Sequence, residues 1–241
     1  MKKFLFSIAL VLVAGRAMAQ VAAVEENCHF IANGVAFMMV AVQGGTFEMG
    51  ATNEQFDSGD KENPVQNVTL SDYYIGSVEV TQELWQAVMG NNPSTYIDSY
   101  LPVGNVSYND CLTFINKLNK LLANKLPQGR KFRMPTEAEW EFAARGGNYS
   151  TGCYYSGSNS LDNVAWSYDN SGGEPQPVRE KEANELGIAD MSGNILEWCS
   201  DWFGDYSSSA QTNPKGPSSG SKRVARGGSA WDENYERFSV A

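Results

Sequence analysis

A chain of 241 residues is long enough to bury a real core, as one large domain or two small ones. Its formal net charge of −10 argues against a phosphate-backbone partner, so nucleic acid is set aside as a ligand class. The single histidine, His29, excludes a Ser-His-Asp triad in the body of the domain, and with it any multi-histidine zinc, copper or iron centre. What chemistry the chain has must come from carboxylates, cysteines and main-chain oxygens.

The first residues have the form of an export leader. Lys2 and Lys3 are followed by a largely apolar run from Phe4 to Gly15, and Ala17-Met18-Ala19 has the small-x-small pattern of a cleavage site. The run is too short to span a membrane, and Arg16 interrupts it. The expectation is a signal peptide over residues 1–19, a new N-terminus at Gln20, and a secreted or periplasmic protein. No lipid-attachment cysteine stands at the cut, since Cys28 lies too far on. Losing Lys2, Lys3 and Arg16 takes the charge from −10 to −13. Cys28, Cys111, Cys153 and Cys199 could then form disulfides in any of three pairings, and no C-x-x-C points to a redox or zinc-ribbon motif.

Residues 37–50, FMMVAVQGGTFEMG, read as two short strands around Gly44-Gly45. Alternation predicts further strands over Val65–Leu70 and Tyr73–Val80. Thr81 is placed to cap a short helix through Met89, closed by Gly90, and NNPSTY is loop. Ser107 and Asp110 have the spacing of a capping box. Behind them Cys111, Phe114, Ile115, Leu118, Leu121 and Leu122 recur at helical steps, which makes Cys111 a core residue. Thr136 and Glu139 repeat the box ahead of Trp140, Ala143 and Ala144, and Gly146-Gly147 stop that helix. Glu137 and Glu141 lie four apart on one face. Arg133 and Arg145 are near enough to make them a structural ion-pair network rather than an acid/base pair.

From Asn148 onward glycine, serine, asparagine and aromatics dominate, and no helical period survives. Trp166, Trp198, Trp202, Phe203, Tyr206 and Trp231 exclude low-complexity disorder. Such a half must be held by side-chain hydrogen bonds, aromatic packing or bound ions. Within it, GIADMSGNILEWCSDW sets Asp190 and Glu197 on either side of a glycine-kinked turn, with Asp201 beyond. Either a cation held between the carboxylates or a turn capped by Asp190 accounts for that arrangement.

The blocks GGTFEMG, VEVTQELWQAVMG, LPVGNVSYNDC, RMPTEAEWEFAARGG, NELGIADMSGNILEWCSDW and NPKGPSSGSKRVARGGS follow one another along the chain. In this order they resemble the formylglycine-generating-enzyme (sulfatase-modifying factor) domain family. The resemblance implies a single α+β domain over residues 36–241, behind an N-terminal extension at 20–35. It would be C-type-lectin-like, with low regular secondary structure. It also implies calcium, with the side chains of Asp190 and Glu197 and the carbonyls of Gly193 and Ile195 as ligands. Calcium takes six to eight oxygens in a flexible shell, and a central glycine lets successive carbonyls turn inward. A second calcium site around Asn163, Val164, Asp169 and Asn170 is not assigned ligands.

In the family's oxidase, two cysteines after RGGS bind copper(I) and convert a substrate cysteine to formylglycine. Here that segment, Ala230 to Ala241, has no cysteine, so copper is not expected. Relatives continue to a closing G-F-R strand that this sequence does not reach. The resulting expectation is a secreted calcium-binding protein without the oxidase activity, acting as a binding or assembly module on a protein or glycan ligand. The alternative is an oxidase, or related oxidoreductase, with an altered site. For lectin-like recognition, Trp198, Trp202, Trp231 and Tyr235 could line a groove, with core roles favoured for the first two.

Overall fold

The computed structural model describes residues 6–14, 26–52, 63–127 and 129–241. In chain order these form β1 (Phe6–Ile8), β2 (Val11–Ala14), β3 (Cys28–Ala32), β4 (Val35–Val42), β5 (Thr46–Met49), β6 (Gln66–Thr69) and β7 (Tyr73–Gly76). Then come α1 (Gln82–Met89), α2 (Tyr108–Leu121), β8 (Arg130–Arg133) and α3 (Glu137–Ala144). The remainder holds α4 (Leu161–Val164), β9 (Ala165–Trp166), α5 (Tyr168–Ser171), β10 (Ser192–Gly193), β11 (Leu196–Trp202), β12 (Gln211–Thr212) and β13 (Arg223–Arg226). The result is one α+β domain with a helix-poor second half, as expected.

A five-stranded sheet in the order β3-β4-β7-β2-β8 forms the centre. Its strands alternate between two apolar clusters. Leu12, Met39, Tyr74 and Phe132 face α1 and α2, where Trp85 stacks on Phe114 at 5.0 Å. Val11, Val40, Val42, Tyr73 and Ile75 face α3 and the second half of the chain. Burial on both faces is why the three inner strands, β4, β7 and β2, are apolar at nearly every position, while the edge strand β8 carries three basic residues. Smaller sheets, β1-β11-β13, β12-β6-β5 and β10-β9, surround this core.

The caps form as the sequence predicts. Thr81, Ser107 and Thr136 accept from main-chain nitrogens three residues on, Gly90 closes α1 at φ 85°, and both capping boxes are complete. Three details differ. Leu121 is exposed and Leu122 takes its place in the core, because α2 ends there. The strand predicted over Tyr73–Val80 stops at Gly76, where the chain turns toward α1. Residues 28–32, assigned by sequence to an extension, pair with Val35–Met39 of β4. Of the leader, residues 6–14 form β1 and β2, while the lysines at 2 and 3 and the cut at 17–19 lie outside the described residues. All four cysteines are unpaired.

The second half is stitched by asparagines. Asn184 donates to the Ala143 carbonyl at 2.8 Å and Ser156 Oγ at 3.0 Å, and its oxygen accepts from Leu186 and Ile188 nitrogens. Buried amides thus do what a regular ladder does elsewhere.

Candidate functional site

The turn between β10 and β11 is built from residues that accept left-handed backbone. Asp190, Gly193 and Asn194 have φ of 65°, 88° and 60°. Only glycine fits at 193, because a Cβ there would stand 2.5 Å from the Trp166 carbonyl oxygen. The turn is fixed by Gly193 N donating to Gly227 O at 2.7 Å and Asn194 N donating to Trp166 O at 3.0 Å.

Asp190, Gly193, Ile195 and Glu197 are all buried on this turn. The Arg179 main-chain nitrogen donates to Asp190 Oδ2 at 2.7 Å, whereas Asp190 Oδ1 is buried with no hydrogen-bond partner. Glu197 accepts from the Trp140 indole N–H of α3. A third buried carboxylate, Glu79, arrives from the segment ahead of α1. It accepts from Asn194 Nδ2 at 2.8 Å and from the Ile195 nitrogen at 3.0 Å. Burial pushes Asp190 up to about 6 and Glu197 up to about 8. Glu79 is raised well above its ordinary value by burial and then by the charges of Asp190 and Glu197. The three acids therefore feel one another in a dry setting.

The orphaned Asp190 oxygen is the observation that fits a cation, since a buried carboxylate oxygen without a donor is costly. Among the described residues no three His, Cys, Asp or Glu side chains converge as a metal cluster. An ion here would therefore complete its shell with the Gly193 and Ile195 carbonyls, a donor set of the oxygen-only kind that calcium takes. Glu79, engaged by the turn's own N–H groups, holds the loop in shape.

The region expected to form a second calcium site is internally bonded. Asn170 receives the Ser167 N–H and donates to Asp162 Oδ1, and Tyr235 donates to Asp169 Oδ2 at 2.6 Å. Glu141 is fully buried between Arg145 at 2.9 Å and Arg226 at 3.3 Å, and Glu137 lies 3.8 Å from Arg226. The expected ion network exists, but Arg133 pairs with Glu139 instead, through two bonds of 2.7 and 2.6 Å. Arg226 had no sequence signal, being 85 residues from Glu141.

Trp198 packs edge-on against Tyr108 and donates to the Val106 carbonyl, and the Arg223 guanidinium covers Trp202 at 3.5 Å. Both are structural. Trp231 lies 6.4 Å from Tyr96, and in the loops around them Ile97, Tyr100 and Tyr235 are 69%, 68% and 51% exposed. Main-chain bonds from Val178 to Tyr100 and from Tyr168 to Asp232, with the Tyr235–Asp169 bond, join these loops into one surface.

A lectin-like α+β scaffold with a glycine-kinked acidic turn defines the class. Residues 33–241 match the sulfatase-modifying factor enzyme 1-like domain, and the chain belongs to that family. It is 34% identical over 235 residues to a chaperone protein LppX of Paenibacillus barcinonensis, covering 79% of this chain and 77% of that one. It is 33% identical over 156 residues to the formylglycine-generating enzyme of Streptomyces coelicolor, covering 58% of this chain and 46% of the enzyme. Among solved structures, Treponema denticola variable protein 1 superposes with a TM-score of 0.78 at 32% identity, over 90% of this chain and 91% of that one.

Proposed function

We propose that this chain is an exported, calcium-stabilised member of the family that works as a binding or assembly module and not as a copper-dependent cysteine oxidase. The observation that carries the reading is the segment after Arg226-Gly227-Gly228-Ser229. It has no cysteine, and it contributes the exposed Tyr235 and the half-buried Trp231, whose ring lies 6.4 Å from Tyr96. Aromatic side chains left partly or largely open to solvent are what protein-recognition surfaces offer. The two buried cysteines, Cys111 and Cys199, suit copper poorly, because soft-metal binding needs thiolate. Burial pushes the Cys111 thiol up to about 12 and Cys199 well above its ordinary value. The name of the Paenibacillus relative, a chaperone, is in keeping with a protein that acts by holding another.

Asp190 and Glu197, with the Gly193 and Ile195 carbonyls, would hold the calcium. Bound there, the ion supplies positive charge to a helix-poor lobe and takes no part in a reaction. Peptide and glycan arrays probed with the protein and with its Trp231→Ala and Tyr100→Ala variants test the binding face. Signal on peptides lost in both variants supports it, and unchanged binding removes it. A glycan-only signal would reassign the ligand. The oxidase reading is favoured by the enzymes among the relatives. Copper(I), oxygen and a sulfatase-motif peptide decide it, because an aldehyde-bearing product in the mass spectrum would overturn the proposal.

A further inference from the structure

Between β12 and the first turn of α3 lies a cavity of about 280 Å³. Its walls come from β5, β6, α3, the end of β11 and the loops on either side of β12, all interior to the sequence. The loop after β12 is tied down. Asn213 N donates to Thr69 O at 2.9 Å, and the Asn213 amide accepts from Ser71 N at 2.9 Å and donates to Ser71 Oγ at 3.0 Å. Two lining glycines have no room for a side chain. A Cβ at Gly204 would stand 2.6 Å from Pro217 Cγ, and one at Gly216 would stand 3.1 Å from Asp201 Oδ1.

The chemistry of the walls is one-sided. Glu137, Asp201 and Asp205 line the cavity, and no Lys, Arg or His does. They stand at different depths: Asp201 is 4% exposed, Glu137 is half-buried and Asp205 is exposed. Asp201 Oδ2 accepts from Glu137 N at 3.1 Å and Ser200 Oγ at 2.9 Å, which leaves Oδ1, beside Gly216, without a partner among the described residues. Gln66 is 6% exposed; its carbonyl oxygen has no partner, and its nitrogen has only the Met49 sulfur at 3.8 Å. Glu137, by contrast, is met by the Tyr206 hydroxyl at 3.0 Å and by Arg226 at 3.8 Å. The deep groups left unmet are acceptors, which is costly in a buried place and is relieved by a cation that carries donors. Burial pushes Asp201 up to about 6, so a positive charge beside it would favour its ionised form.

A metal ion does not suit these walls, since among the described residues no three acidic side chains converge to hold one. The acids stand instead at the floor and at the mouth, with Met49, Trp202, Pro214 and Pro217 as the apolar part of the lining. That pattern fits a molecule with a positive charge at each end of a hydrocarbon chain. We propose that this cavity binds an aliphatic diamine or a longer linear polyamine. One ammonium, with three donors and no acceptor, takes Asp201 and Gln66 at the floor. The next takes Asp205 at the mouth, and the methylenes between them lie against the apolar walls. A lysine side chain would bring one ammonium on a similar stem and leave the mouth acid unused. The site rests on neither the ion site nor the aromatic loops proposed above.

Titration calorimetry on the full chain tests it, in excess calcium so that the acidic turn holds its proposed ion. The probes are putrescine and spermidine, with butylamine and lysine capped at both ends in parallel. The expected result is one diamine per chain, bound at least about threefold more tightly than either single-charge probe. Asp201→Asn should weaken every probe by at least about tenfold. Because Asp201 also caps the start of α3, the second variant is Asp205→Asn, at the exposed mouth. It should weaken putrescine about two- to fivefold and leave butylamine unchanged, a split that a merely structural role would not produce. No binding of either polyamine at millimolar concentration overturns the proposal. So does equal affinity for putrescine and capped lysine, which would make the site one for a protein side chain. Displacement of putrescine by further calcium at constant ionic strength would make it a metal site and overturns it as well.

Discussion

Removing calcium should lower stability, and by an amount that depends on pH. Lifting Asp190 from its ordinary 3.8 to about 6 corresponds to roughly 3 kcal/mol against the charged, metal-free fold at neutral pH. Glu197, raised to about 8 from 4.5, adds to that burden, though the two do not sum because Asp190 is itself one cause of the Glu197 shift. The sign follows from linkage. Both folded values lie above the unfolded ones, so between about pH 4 and pH 8 the metal-free fold binds more protons than the unfolded chain. Its stability falls as pH rises through that window. Calcium binds the deprotonated carboxylates, so its stabilising effect grows over the same range. At a free concentration of 100 times Kd the gain is about 2.7 kcal/mol, or roughly 5–11 °C in Tm for a domain of this size. Calorimetry in EDTA and in calcium at pH 6, 7 and 8 measures this directly. Superimposed curves at pH 8 would refute the reasoning.

Glu197→Gln is a neutral mimic of the protonated acid that Glu197 tends to be at pH 7 without metal. In EDTA the variant should melt within about 1 kcal/mol of the parent chain, yet calcium should no longer raise its Tm. Arg226→Met removes a partner from the buried Glu141 carboxylate and should cost about 3–5 kcal/mol in chemical denaturation. A cost under about 1 kcal/mol would mean that Arg145 suffices alone. Alkylation of the native protein should spare Cys111 and Cys199, both fully buried, and modify Cys28 and Cys153, both partly accessible. Rapid labelling of Cys199, read by peptide mass mapping, would contradict the packing of β11 against α3.

What the sequence makes legible is local. A helix cap depends on residues three apart, so Thr81, Ser107 and Thr136 mark where α1, α2 and α3 begin. The partners that complete the acidic turn come from far away: Glu79 reaches Asn194 across 115 residues. No window of sequence holds both. Proximity in the chain matches Arg133 to Glu137 and Glu141, whereas the capping box turns Glu139 toward it. β11 is hidden for a different reason. Its burial alternates strictly, but the inward positions are Glu197, Cys199 and Asp201, while Leu196, Trp198 and Trp202 are only half-buried. Apolar and acidic residues do alternate along it, but the buried face is the acidic one, so the pattern reads in the wrong phase. The leader-like residues carry two readings at once, since a short apolar run reads equally as an export signal or as a strand buried on both faces.

That inverted strand also joins the proposed ion site to the proposed binding face. At one end Glu197 takes the Trp140 N–H, and at the other Asp201 accepts from the first nitrogen of α3 at 3.1 Å. The adjoining turn reaches outward through Asn194. Its amide exchanges two bonds with the Gln176 main chain, at 2.9 and 3.0 Å, and its carbonyl accepts from Ala230 N at 2.8 Å. Those bonds fix the bases of the loops that carry Tyr168, Trp231 and Tyr235. If calcium sets the turn, losing it should loosen these loops before it unfolds the sheet, because local opening takes the least protected segments first. Hydrogen exchange in EDTA should therefore rise first in residues 174–178 and 229–232, with the β4–β7 pair unchanged. Equal protection with and without calcium in those two segments would separate the ion from the face, leaving it a role in stability alone.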